Sequence, residues 1–214
     1  MTLVFATNGF SMPVTVGQHV KLSLSGGNAN GGGEFLVEDW STGKDLLNTF
    51  CLEYNEEFYL EHEYVVWDIS KNAVGGGMNT GDPLSSTKDP LDPKTAYLYW
   101  NYTRGSLTGF TGTDESKNAL QEAIWYIEGE IGGIGTGGYH ELAHTFYDEA
   151  VAADWKDIGN VRVINLAAPG DSWPMRQDQL TVVDPVPEPT TILLSGIGLL
   201  GMGFFLRRKT RPSV

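Results

Sequence analysis

Cys51 is the only thiol in the 214-residue chain. Neither an internal disulfide nor a multi-cysteine zinc or iron–sulfur site can be built from it. It sits in Thr49-Phe50-Cys51-Leu52-Glu53, which reads as a strand. A free cysteine ordinarily serves as a small buried hydrophobe. As a thiolate it is also the strongest nucleophile among the common side chains, with an unperturbed pKa of about 8.5. A second candidate is Gln121, in Leu120-Gln121-Glu122-Ala123-Ile124-Trp125. It falls at the margin of the apolar face of a predicted helix, one turn from Trp125. A third is His140-Glu141-Leu142-Ala143-His144, a literal H-E-x-x-H. On a helix the two histidines share a face and could hold Zn²⁺, with Glu141 as general base. The extended form of that motif fails, because Tyr147 and Ala150 stand where Gly and His belong. The competing reading of His140 and His144 is the solvated face of an amphipathic helix, so a zinc-dependent hydrolase is the lesser alternative. The glycine-rich run 129–135 lacks a following Lys-Ser/Thr and supports no phosphate loop. Asp82, Asp89 and Asp92 lie in a Pro-rich stretch without EF-hand spacing and read as a solvated loop. No cofactor is expected.

The elements that must position these groups follow from periodicity. Residues 14–24 alternate apolar and polar and predict a half-buried strand or two. A Gly/Asn turn is expected at 26–33, with strands at 34–40, 46–53 and 64–69. Residues 70–94 are rich in Gly, Pro, Asp and Ser and read as a long loop. Helices are expected at 95–104, 114–130 and 140–155. The second is the best of the three, with Thr113 as N-cap, Asp114 and Glu115 in its first turn, and Leu120, Ala123, Ile124 and Ile127 on one face. Late strands are expected at 161–167 and 180–183. Strands, then helices, then strands define an α+β class: a β-sheet or barrel with inserted helices, plus one C-terminal hydrophobic helix.

Charge narrows the partners. The chain carries 14 Lys and Arg against 27 Asp and Glu. Four of the basic residues follow Leu206, so the preceding body has 10 basic and 27 acidic side chains, a net of −17. That excludes nucleic acid and disfavours an anionic membrane surface as partners of the body. The apolar run 190–206 has no charge over 17 residues and is followed by Arg207, Arg208, Lys209 and Arg211. Roughly 20 residues cross a bilayer, so this is a short transmembrane helix with a cytoplasmic stop. Directly before it stands Pro187-Glu188-Pro189. Pro-Glu-Pro, a short apolar helix and an Arg-rich end resemble the PEP-CTERM sorting signal of Gram-negative bacteria. The resemblance implies export, inner-membrane anchoring through the C-terminal helix, and cleavage by an exosortase. The protein would then reach the cell surface or extracellular matrix. An exported chain is expected to open on a basic and then an apolar stretch, and residues 1–6 hold no basic residue and are too short. The composition shift at 184–187 places a boundary between an extracytoplasmic domain, 1–184, and a sorting segment, 185–214.

Export sharpens the question of Cys51, since a lone thiol outside the cell is open to oxidation and unwanted pairing. Phe-Cys-Leu-Glu on a strand, followed about 70 residues later by Gln-x-Ala-Ile-Trp on a helix, resembles the thioester domains of bacterial surface proteins. Gly33-Glu34-Phe35 and Tyr97-Leu98-Tyr99-Trp100 add to the likeness, which spans roughly residues 30–155. Leu120 departs from it, since many Gram-positive relatives carry Thr there. The resemblance implies that the Cys51 sulfur attacks the Gln121 side-chain carbonyl, expels ammonia and leaves an internal thioester. Phe50, Trp100 and Trp125 are the candidates to shield that bond from water. A nucleophile on an extracellular amine-bearing or polysaccharide target would open it, leaving the protein attached through Gln121. This is single-use chemistry and not enzymatic turnover. An inert matrix protein of the same fold is the other alternative.

The tail yields the first prediction. Deletion of Pro187 to Pro189 is expected to leave an uncleaved, membrane-retained protein in fractionated cells. Unchanged processing would reduce the segment to a plain tail anchor.

Overall fold

The computed structural model describes residues 10–56, 58–75, 85–172 and 176–185. They form two units. In the smaller one, β1 (Phe10–Ser11) pairs antiparallel with β10 (Asp184–Pro185). The larger unit, Met12–Val183, holds everything else. The predicted membrane helix 190–206, Pro187-Glu188-Pro189 and Asp82 lie outside the described residues. Among the described residues no helix is long and apolar enough to cross a membrane.

The larger unit is built on β2 (His19–Ala29), β3 (Gly32–Asp39), β4 (Asp45–Thr49), β5 (Tyr64–Ser70), β8 (Val161–Ala167) and β9 (Arg176–Val182). They form one antiparallel sheet in the order β4-β3-β2-β5-β8-β9. Strands β6 (Asn72–Gly75) and β7 (Ser85–Pro90) make a separate hairpin where a loop was expected. Helices α1 (Pro93–Thr103), α2 (Asp114–Ile127) and α3 (Tyr139–Ala153) are inserted between β7 and β8. The α+β order is therefore as the periodicity predicts.

Two corrections concern strand ends. The expected turn at 26–33 is shorter, because β2 continues through two register shifts to Ala29. The chain reverses at Asn30-Gly31, both at positive φ, the two-residue hairpin geometry that Asn-Gly favours. The predicted strand 46–53 stops at Thr49. Phe50 to Leu52 then leave β3 and cross to β9. Leu180 N–H donates to Phe50 O at 3.2 Å and Leu52 N–H to Asp178 O at 3.1 Å. The Thr49 hydroxyl adds a bond to Leu180 O at 2.8 Å. Cys51 and Gln179 face each other across this bridge. The two edges of the sheet thus meet, and the sheet closes as a barrel at Cys51. Closure removes the exposed edges that a sheet otherwise carries.

Alternation along the strands sorts the core into two apolar clusters. Phe50, Leu52, Val161, Val163 and Leu180 pack with Leu98, Leu120, Ile124 and Phe146 of the helices. Cys51, Val20, Leu22, Phe35, Val66, Ile164 and Leu166 belong to the second cluster, with Trp125. Helix α2 begins where its sequence says. The Thr113 side chain accepts from Ser116 N–H, and Asp114 and Glu115 occupy the first turn. Asp114 and Asn118 also accept from Gly27 and Asn28 N–H, each at 2.9 Å, fastening α2 to the bulged end of β2.

Glu128 caps the C-terminus of α2, where a carboxylate faces the negative end of the helix. Burial raises its pKa to about 8, against favourable bonds from Thr95 and Asp92 N–H. An acid with a raised folded pKa contributes stability below its unfolded pKa of about 4.5 and loses it as pH climbs through 8. Stability in urea is therefore expected to fall between pH 5 and pH 8, by an amount on the order of a few kcal/mol. Glu128→Gln is expected to remove its share of that slope, with the buried acids Glu53 and Asp178 accounting for the remainder. A slope unchanged in the variant would show that Glu128 is ionised in the folded state.

Candidate functional site

Cys51 and Gln121, 70 residues apart, meet in the interior. Cys51 N–H donates to Gln121 Oε1 at 3.1 Å, and Gln121 Nε2 donates to Cys51 O at 2.9 Å. Both residues are buried, at 0% and 1% exposure. The geometry has a simple cause. Residues Phe50 to Leu52 use one side of their backbone on β9, so the N–H and C=O of Cys51 point the other way and need partners. The Gln121 carboxamide supplies both, standing in for a neighbouring strand. Gln121 reaches this position because α2 turns Leu120, Ala123 and Ile124 toward one cluster and Gln121 and Trp125, one turn apart, toward Cys51.

Close approach of β3 is needed as well. A Cβ on Gly32 would stand 2.2 Å from Trp125 Cη2 and 2.7 Å from Gln121 Cγ. Gly32 is thus a notch into which both side chains fit.

The sulfur faces a further amide. Gln179 Nε2 lies 3.5 Å from Cys51 Sγ and also donates to Gln177 O at 3.2 Å. Burial pushes the Cys51 thiol well above its ordinary range, opposed by the Gln179 bond, and ionisation of Glu53 would push it further. Glu53 and Asp178 are themselves buried, at 2% and 0% exposure. Glu53 accepts from Asp178 N–H at 2.9 Å. Asp178 accepts from Val74 N–H at 2.5 Å and from Asn165 Nδ2 at 2.8 Å. Desolvation raises both acids well above the carboxylate range, and each raises it further by its proximity to another acid. Each also keeps one buried oxygen, Glu53 Oε1 and Asp178 Oδ1, without a hydrogen-bond partner.

The three proposed shielding residues occupy different places. Trp125 shares the Cys51 cluster, is 4% exposed and stacks edge-on with Tyr54, ring centroids 4.9 Å apart. It lines a cavity of about 490 Å³, together with Asn30, Phe35, Tyr54, Phe58 and Gln177. It also lines a second one of about 140 Å³ with Glu122 and Tyr139. Phe50 is fully buried on the other side of its strand, against Tyr102. Trp100 sits at the rim of the helical cluster under the Arg104 guanidinium, 4.2 Å from the ring centroid.

His140 and His144 turn to separate partners. His140 Nδ1 meets Glu122 Oε2 at 2.7 Å, and His144 Nε2 donates to Gly135 O at 3.2 Å. The first bond joins α3 to α2, and the second ties the glycine-rich loop after α2 to α3. Glu141 accepts from Gly137 N–H. Asp92 is the N-cap of α1. Among the described residues no group of three or more His, Cys, Asp or Glu is placed to hold a metal ion.

Sequence reasoning missed Gln179 and Asp178. The expected strand began at 180, after the polar run Arg176-Gln177-Asp178-Gln179. Alternation along that run was the available signal, since it continues the strand with amide side chains on one face.

Comparison with known proteins locates the PEP-CTERM protein-sorting motif at residues 185–209. The chain is accordingly an exported protein sorted by exosortase, anchored at the membrane before processing. No curated protein and no solved structure matches the chain.

Gly32→Ala is expected to lower stability by about 1–3 kcal/mol through overpacking against Trp125 and Gln121. A urea midpoint equal to that of the parent would mean that the notch has slack.

Proposed function

We propose that the body of this exported protein forms a Cys51–Gln121 thioester and uses it once, to attach covalently to an extracellular target. The observation that carries the reading is the double hydrogen bond between the Gln121 carboxamide and the Cys51 backbone. It joins the backbone of the residue that carries the chain's only thiol to one carboxamide and fixes the orientation of that carboxamide. In the step, Sγ bonds to Gln121 Cδ and the Cδ–Nε2 bond breaks. The thiol proton leaves with the nitrogen as ammonia. Charge develops on Oε1, where the Cys51 N–H already donates at 3.1 Å. A donor preorganised at a developing oxyanion lowers the barrier without reorganisation. Full burial of both residues excludes the water that would hydrolyse the product.

Opening reverses the acyl transfer. A target amine or hydroxyl attacks Cδ, the C–S bond breaks, and sulfur recovers the proton the nucleophile gives up. The cavities beside Trp125 are the nearest approaches for such a group. The sorting tail delivers the domain to the side of the membrane where targets are found.

The same hydrogen bonds favour a second reading, in which Gln121 only clamps the barrel seam and Cys51 stays a thiol. Intact mass separates the two. The purified protein is expected to weigh one ammonia less than its sequence, with the deficit absent in Cys51→Ala and Gln121→Ala. Methylamine is expected to add to the parent alone. A parent of full sequence mass would leave the clamp as the role of Gln121.

A further inference from the structure

We infer that Gln179 is the group that stabilises the Cys51 sulfur as it carries negative charge, both when the thioester closes and when it opens. The inference deepens the thioester reading and rests on it for the reaction, though not for the effect on the sulfur.

Cys51 and Gln179 are an opposed pair flanked by, and not sharing, backbone bonds. In antiparallel pairing this is the closer of the two arrangements, with side chains side by side. Gln179 therefore cannot avoid the sulfur. Its orientation is fixed by Gln177 O, which accepts from Nε2 at 3.2 Å. The reverse orientation would set Oε1 against that carbonyl oxygen. The end that faces Sγ at 3.5 Å is thus the N–H donor.

An amide is a poor choice for filling a barrel interior. Gln179 is 0% exposed, and its Oε1 has no hydrogen-bond partner. Leaving a buried acceptor unpaired is costly, and an aliphatic side chain of the same size would avoid it. What the amide offers here is a donor to sulfur. The charges around the sulfur make that donor matter. No cation contacts Cys51 among the described residues, and Glu53 stands two positions along the chain. A thiolate there gains nothing from ion pairing, so the Gln179 N–H and the burial of neutral Glu53 and Asp178 govern its energy. In closing, sulfur must lose its proton as it bonds to Gln121 Cδ. In opening, sulfur is the leaving group and departs as thiolate until the nucleophile's proton reaches it. One donor serves both directions.

The test uses the full chain. Gln179→Met keeps the length of the side chain and removes the donor. Ammonia loss after folding, followed by intact mass, is expected to slow by roughly ten- to a hundred-fold, the effect of one hydrogen bond to a charged group. Its pH profile is expected to move upward by about one to two units. In a Gln121→Glu background no ammonia-releasing closure is possible. There, the S–H stretching band of Cys51, read by Raman spectroscopy without solvent access to the buried thiol, is expected to shift in Gln179→Met as the donor to sulfur is lost. If the parent loses no ammonia but the band shifts, the thioester reading fails and the role of Gln179 stands. If Gln179→Met folds and neither the rate nor the band changes, the inference is overturned. Should the Met variant not fold, Gln179→Asn replaces it, withdrawing the donor by one methylene, and an unchanged rate and band would overturn the inference equally.

Discussion

The structure depends on how the backbone of one residue, Cys51, is satisfied. The chain must leave β3 at Phe50 to close the barrel on β9, and in doing so it strands an N–H and a C=O on its other side. Buried peptide groups without partners cost free energy comparable to a lost hydrogen bond. The Gln121 carboxamide is the group that removes this cost, with bonds of 3.1 and 2.9 Å. Its placement requires α2 to lie along the β2–β3 hairpin, which Asp114 and Asn118 secure. It also requires Gly32 to leave room. Barrel closure, helix docking and the juxtaposition of Cys51 and Gln121 are therefore one constraint seen from three sides.

Around that seam the interior is unusually polar for its depth. Glu53, Asp178, Gln179 and Gln121 are all buried. A carboxylate in such surroundings keeps its proton in preference to its charge. Burial holds Glu53 and Asp178 in that neutral form. The sulfur accordingly sits among amides and protonated acids, in a medium where a single well-placed donor counts for more than it would in water.

Much of this was legible beforehand. The start of α2 was written in Thr113, Asp114 and Glu115, and β8 in the apolar run 161–167, because capping and burial on both faces are local signals. The hairpin β6–β7 was hidden because Ser85 to Pro90 carries no apolar alternation, so its pairing leaves no trace in hydropathy. The first half of β9 was hidden for the opposite reason. Its amides and Asp178 look solvated in a linear reading, and their burial is set by Cys51 and Glu53, more than 120 positions away. Cys51 itself was assigned to a strand, yet the one-residue bridge that places it is a tertiary event. Pairing of distant elements is the part of a fold that local periodicity does not encode.

The position of β9 has a mechanical consequence. It is the last strand of the larger unit, and the sorting segment follows it. Tension transmitted along the tail meets the β1–β10 pair and then enters the larger unit through β9. That strand is hydrogen-bonded to β8 on one side and to Phe50–Leu52 on the other. The load is therefore divided between two rows of bonds, and the seam holding Cys51 is one of them.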